Sequence, residues 1–238
     1  MKKTLLGVAS ILVMSTGAAF AQSNNDADIV QNGVNNQAET FQQQGRGSTD
    51  GDIDITQSGA RNRAVADQRG GEHDADIEQN GASNFAQTSQ TGLDADIDVE
   101  QSGSRNISES SQSSNFVDAR VRQSGNRNYS NLDQNGRSNS SDALVIQRGA
   151  GNRSFVEQTS IGTNASRGAS ARVEQNGTRN ESYVTQYGTT TGSPPVTNNE
   201  ARVVQNGNAN VAMIDQGNYD NSASILQNGT GNTATINQ

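Results

Sequence analysis

The chain has 238 residues, of which 30% are hydrophobic and 4% aromatic, with no cysteine, one histidine and a formal net charge of −8. Its mean hydropathy is −0.80, so composition alone predicts disorder, because little apolar surface is on hand to offset chain entropy. The acidic balance argues against nucleic acid as a partner. The missing cysteines exclude a disulfide framework, and a lone histidine excludes histidine-based triads and histidine-rich metal sites.

Residues 1–21 read as a secretory signal peptide: Lys2 and Lys3 form a positive start, Leu5 to Val13 an apolar stretch, and Ala19-Phe20-Ala21 a small-residue cleavage box. The apolar stretch is too short for a membrane span, and no span is expected in the mature chain. Loss of the leader removes both lysines, leaving 15 arginines against 25 acidic residues, a net charge near −10. A short mature N-terminal segment, 22–26, precedes the repeats.

From residue 27 to 238 a single phrase recurs nine times, and it overrides the reading from composition. It opens with Gln31, Gln57, Gln79, Gln101, Gln123, Gln147, Gln175, Gln205 and Gln227, each followed two residues later by glycine. Five residues after each opening glutamine stands Asn36, Asn62, Asn84, Asn106, Asn128, Asn152, Asn180, Asn210 or Asn232. Eleven residues after it stands Gln42, Gln68, Gln90, Gln112, Gln134, Gln158, Gln186, Gln216 or Gln238. A fixed period is the mark of a stacked repeat architecture.

Each unit reads as strand, arc, strand. Two residues before every opening glutamine is a β-branched residue, from Ile29 to Ile225, and two before that is usually alanine. Small residues follow the asparagine at the same alternation, from Ala38 to Ala234. Period two with β-branched residues predicts strands with one buried face. Opening glutamines are spaced by 26, 22, 22, 22, 24, 28, 30 and 22 residues, yet the interval inside each unit is constant, so insertions fall in one arc. Pro194 and Pro195 lie in the longest insertion. The predicted fold class is all-β: a β-solenoid of about nine stacked strand-arc-strand rungs in two parallel sheets, cross-β in character. Its inward glutamines and asparagines would form amide ladders along the axis.

Outward positions carry the charge. Asp26/Asp28, Asp52/Asp54, Asp74/Asp76 and Asp96/Asp98 recur at the same offsets in four consecutive units, predicting two carboxylate columns with spacings of about 4.8 Å. Asp28, Asp54, Asp76 and Asp98 are weak calcium candidates; the competing reading is a solvated face. His73 reads as a solvated loop residue. Phe41, Phe85, Tyr129, Phe155 and Tyr183 fall at scattered offsets and read as ordinary surface. No catalytic or cofactor-binding residue stands out, and no enzyme activity is expected.

The tandem pattern QxGxxNxA, then a hydrophobic residue and glutamine, from about Ala27 to Gln238 on an exported, cysteine-free chain, resembles the curlin repeat. That resemblance implies a subunit of curli, the extracellular amyloid fibres of bacteria, in the biofilm matrix and in adhesion. It further implies secretion to the cell surface through an outer-membrane channel and polymerisation as a homopolymer on a nucleator curlin. Where the major subunit usually carries serine, six residues before the opening glutamine, this chain has residues as varied as Gly51, His73 and Val117. Major subunit and minor nucleator both stay open. A monomeric solenoid that binds ice or polysaccharide is the rival reading.

Overall fold

Alternating small and β-branched residues, with glutamine at the end of each run, build strands whose inner faces are complementary to copies of themselves. The computed structural model describes residues 11–14, 25–44, 51–136, 141–161, 169–189, 199–217 and 220–238. Its strands are β1 (Ile11–Met14), β2 (Asp26–Val34), β3 (Gln37–Gln44), β4 (Asp52–Ala60), β5 (Arg63–Ala82), β6 (Phe85–Ser104), β7 (Ile107–Gln112), β8 (Val117–Asn126) and β9 (Tyr129–Gly136). They continue as β10 (Asp142–Ala150), β11 (Arg153–Ile161), β12 (Ser170–Thr178), β13 (Glu181–Thr189), β14 (Glu200–Asn208), β15 (Val211–Gln216), β16 (Ser222–Thr230) and β17 (Thr233–Asn237).

The protein is an all-β solenoid. One parallel sheet stacks β2, β4, the second half of β5, the second half of β6, β8, β10, β12, β14 and β16. The other stacks β3, the first halves of β5 and β6, then β7, β9, β11, β13, β15 and β17. We call these the opening and closing sheets, after the glutamine each carries. From β2 onward the pairings keep the repeats in register, glutamine over glutamine, which gives nine rungs.

The two arcs of a rung share one geometry. In the first arc Gly59 has φ +109° and Arg61 +58°; in the second, Gly70 has +128° and Glu72 +55°. That match makes the 11-residue half the structural unit, and β5 and β6 run unbroken through the second arc.

Between the sheets lies a thin core of alanine, valine and isoleucine, including Ile53, Ile55, Val145, Val203 and Ile214. Fully buried glutamines share it. The insertions at 45–50, 137–140, 162–168 and 190–198, with Pro194 and Pro195, lie outside the described residues, as do most of residues 1–21, including the expected cleavage box. One strand of that N-terminal segment is described. β1 lies parallel on β3, with Ile11 opposite Gln37 and Met14 opposite Thr40, so this edge of the first rung is covered while that of β2 pairs only with β4 among the described residues.

Candidate functional site

Glutamine side chains span one rung to the next because identical inward residues recur at each step. Along the opening column each Nε2 donates to the Oε1 of the following rung, from Gln31 to Gln57 at 2.6 Å through Gln147 to Gln175 at 2.8 Å and Gln205 to Gln227 at 2.9 Å. Along the closing column the same bond runs from Gln42 to Gln68 at 3.1 Å through Gln134 to Gln158 at 2.9 Å and Gln216 to Gln238 at 3.2 Å. From Gln57 onward the second N–H of each opening glutamine crosses to a carbonyl of the rung before, as Gln147 does to Tyr129 at 2.9 Å. Closing glutamines instead bond backbone carbonyls at the second arc, Gln68 those of Asp52 and His73.

The asparagine column fastens the first arc. The backbone N–H of Asn152 donates to Asn128 Oδ1 at 3.1 Å, while its Nδ2 donates to the Arg148 carbonyl at 3.1 Å and the Gly177 carbonyl at 3.0 Å. One amide thus closes its own arc and ties it to rungs on either side. Glycine is required two residues beyond the opening glutamine. At Gly149, φ is +111° and a Cβ would lie 2.0 Å from the Gly177 carbonyl oxygen, far inside contact distance. The next left-handed position is less exclusive, since Arg61, Arg105, Arg127 and Arg179 occupy it at φ 55° to 58°.

His73 is not in a solvated loop: it is 1% exposed. The second arc repeats the first, so His73 stands five residues after Gln68, where the first arc places its inward asparagine. Neither ring nitrogen has an aligned hydrogen-bond partner among the described residues. Burial pushes its pKa down, opposed by the carbonyls of Arg69, Gly92 and Ala95 and by the Asp94 carboxylate, all of which favour the charged ring.

The first acidic column is longer than the repeats' paired aspartates suggest. Register places Asp26, Asp52, Asp74, Asp96, Asp118 and Asp142 one above another on the opening sheet. Beside it Asp28, Asp54, Asp76 and Asp98 form a second column that continues as Arg120, whose Nε lies 2.7 Å from Asp98. Asp96 is pushed up to about 6, first by burial and then by Asp118, Asp74 and Asp94. Burial also leads the upward shifts of Asp54, Asp74, Asp76 and Asp142, with carboxylate repulsion second. Among the described residues no group of three or more histidine, aspartate or glutamate side chains is placed to hold a metal ion.

The aromatic residues are not scattered once the rungs are stacked. On the closing sheet the ring of Tyr129 lies 5.5 Å from Phe155, tilted by 49°, and Phe155 stacks on Tyr183 at 5.1 Å. The stripe shifts by one outward column between Tyr129 and Phe155, so offsets counted along the chain miss it. Arg63 and Arg69 lie over Phe85 and Phe41, at 5.4 and 5.6 Å from the ring centres.

Among the described residues no helix is long and apolar enough to cross a membrane. Comparison with curated proteins gives no match. Residues 49–81 and 74–103 match the family described as the curlin associated repeat. These segments match the curlin associated repeat from the second to the fourth rung, and the same columns of glutamine, glycine and asparagine continue through all nine.

Proposed function

We propose that this protein is a structural subunit of an extracellular, curli-like amyloid fibre, which grows by head-to-tail stacking of solenoids. The observation that carries this reading is the polarity of the ladders. Every glutamine Nε2 donates toward the C-terminal rung, so that end offers the amide N–H groups of Gln227 and Gln238, and the first rung offers Gln31 Oε1 and Gln42 Oε1. The ends are complementary to one another and neither is complementary to itself. Head-to-tail contacts that do not close into a ring generate filaments. The outer edges of β16 and β17 pair with nothing else among the described residues, and such edges are templates for further strands.

The curlin repeat and the solenoid fit a structural role, not a catalytic one. Export after leader cleavage, passage through an outer-membrane channel, growth from a nucleator curlin, and roles in biofilm matrix and adhesion follow from the family. With nine regular rungs, this reading favours the fibre-forming subunit over the nucleator. The test is to follow purified residues 22–238 at micromolar concentration by light scattering and electron microscopy, with and without sonicated seeds. Unbranched filaments and a lag abolished by seeds are expected; a chain that stays monomeric for days would overturn the proposal in favour of a binding solenoid.

A further inference from the structure

The outer face of the closing sheet carries a groove of about 360 Å³ over rungs three to five. Its floor is two parallel columns, Gln87, Glu109 and Asn131 in one, Ser89, Ser111 and Asp133 in the other. Ser89 and Ser111 are short beside Gln87, Glu109 and Asn131, which leaves the depression between the columns. Tyr129 stands beside the floor: its hydroxyl donates to Glu109 Oε2 at 2.7 Å, and Asn131 Nδ2 approaches the same oxygen at 3.5 Å. This carboxylate is therefore held in place, and contact with Phe155 fixes the tyrosine ring as a rigid apolar rim.

We propose that this groove binds an extended neutral polysaccharide lying along the solenoid axis. Amides and hydroxyls both donate and accept, carboxylates accept, and a polyhydroxyl chain can answer all of them. Equivalent groups recur at each rung, about 4.8 Å apart, which is close to the length of one sugar in an extended glycan. Asp133 adds a second carboxylate to this floor. Glu109 and Asp133, with Asp67 and Glu157 in the same column as Asp133, exclude an anionic polymer by repulsion. The groove of about 340 Å³ on the opposite sheet is different, because its Arg122 and Glu100 already pair at 2.8 Å.

Because end-to-end stacking leaves the outer faces uncovered, the groove is the same in one copy and in a single-file filament, so its test is separable from that of assembly. Fluorescein-labelled soluble β-1,4-glucan is mixed with residues 22–238, and bound label is read in the pellet if filaments form, or by co-elution on gel filtration if they do not. The wild-type chain should retain the glucan and leave polygalacturonate free. Tyr129→Ala, Glu109→Gln and Asn131→Ala should each lower retention about tenfold with unchanged assembly lag, while Arg148→Ala on the opposite face should not. Equal retention by these variants and wild type, equal retention of polygalacturonate, or no retention of glucan would each overturn the proposal.

Discussion

Replacing Gln147 by leucine removes one link from the middle of the opening ladder while keeping the volume of the side chain nearly constant. In the wild-type chain Gln147 Oε1 accepts from Gln123 Nε2 at 2.8 Å, and its Nε2 donates to Gln175 Oε1 at 2.8 Å and to the Tyr129 carbonyl at 2.9 Å. The variant loses all three bonds at a site with 0% exposure, where water does not replace them. Gln123 keeps its bond to the Ile107 carbonyl, so one of its N–H groups is orphaned and not both. At about 1–3 kcal/mol for each buried group left unpaired, and with leucine's own burial offsetting part, the loss is roughly 3–5 kcal/mol. Arg148 is the control: its guanidinium, with 56% of the side chain exposed, pairs with Glu174 at 3.2 Å, a contact of the surface class worth about 0–1 kcal/mol. Guanidinium unfolding of residues 22–238, followed by circular dichroism, should show a large drop in midpoint for Gln147→Leu and almost none for Arg148→Gln. Equal shifts in the two variants would refute the assignment of cohesion to the buried amides.

Three other outcomes follow from the same geometry. Gly149→Ala should prevent ordered stacking, since its Cβ would meet the Gly177 carbonyl at 2.0 Å, whereas Gly151→Ala, at φ +67° with nothing closer than 3.8 Å, should cost about 1–2 kcal/mol; unfolding midpoints compare them. Ser108, Ser130, Ser154 and Ser182 are buried with hydroxyls that have no partner among the described residues, and alanine fills their column at rungs one to three, eight and nine, so each Ser→Ala change should raise stability by about 1 kcal/mol, read in the same titration. Raised aspartate pKa values mean that protons bind the folded state more tightly: stability from Asp54, Asp74, Asp76 and Asp96 is complete below about pH 4 and is lost as pH rises through the folded values, up to about 6 for Asp96. His73, shifted down, acts oppositely, its contribution being full above about pH 6.5 and falling as pH drops below it. Changing those four aspartates to asparagine should therefore flatten the gain in midpoint between pH 7 and pH 4, and His73→Asn should enlarge it.

What the sequence discloses follows from where the constraint falls. Inward positions of the first arc and both strands must match their neighbours above and below in size and hydrogen bonding, so the same residue types recur, and the solenoid and its columns are legible from spacing. The second arc absorbs the insertions, and its inward column runs Asn25, Gly51, His73, Ala95, Val117, Ser141, Ala169, Asn199 and Asn221; the residue type changes at nearly every rung, and a single histidine there looks like a loop residue although it is buried. Carrying the 11-residue half-period through that arc would have placed His73 opposite the asparagines. The extension of the first acidic column to Asp118 and Asp142 needed only the same offset read in the fifth and sixth units. The aromatic stripe is harder to foresee, because it depends on neighbours in adjacent columns of successive rungs, a diagonal relation with no fixed spacing along the chain. The left-handed arginines are also hidden, since arginine carries no preference for that conformation and is held there by the arc.

The most direct measurement is mass per unit length of the polymer by dark-field scanning transmission electron microscopy. Nine rungs at about 4.8 Å make each copy about 43 Å long, so a single file of head-to-tail copies should carry roughly 0.5 kDa per Å, with laterally paired files at whole multiples of it. Particles that stay at the length of one copy, or filaments whose mass per length falls between those multiples, would contradict end-to-end stacking of intact solenoids.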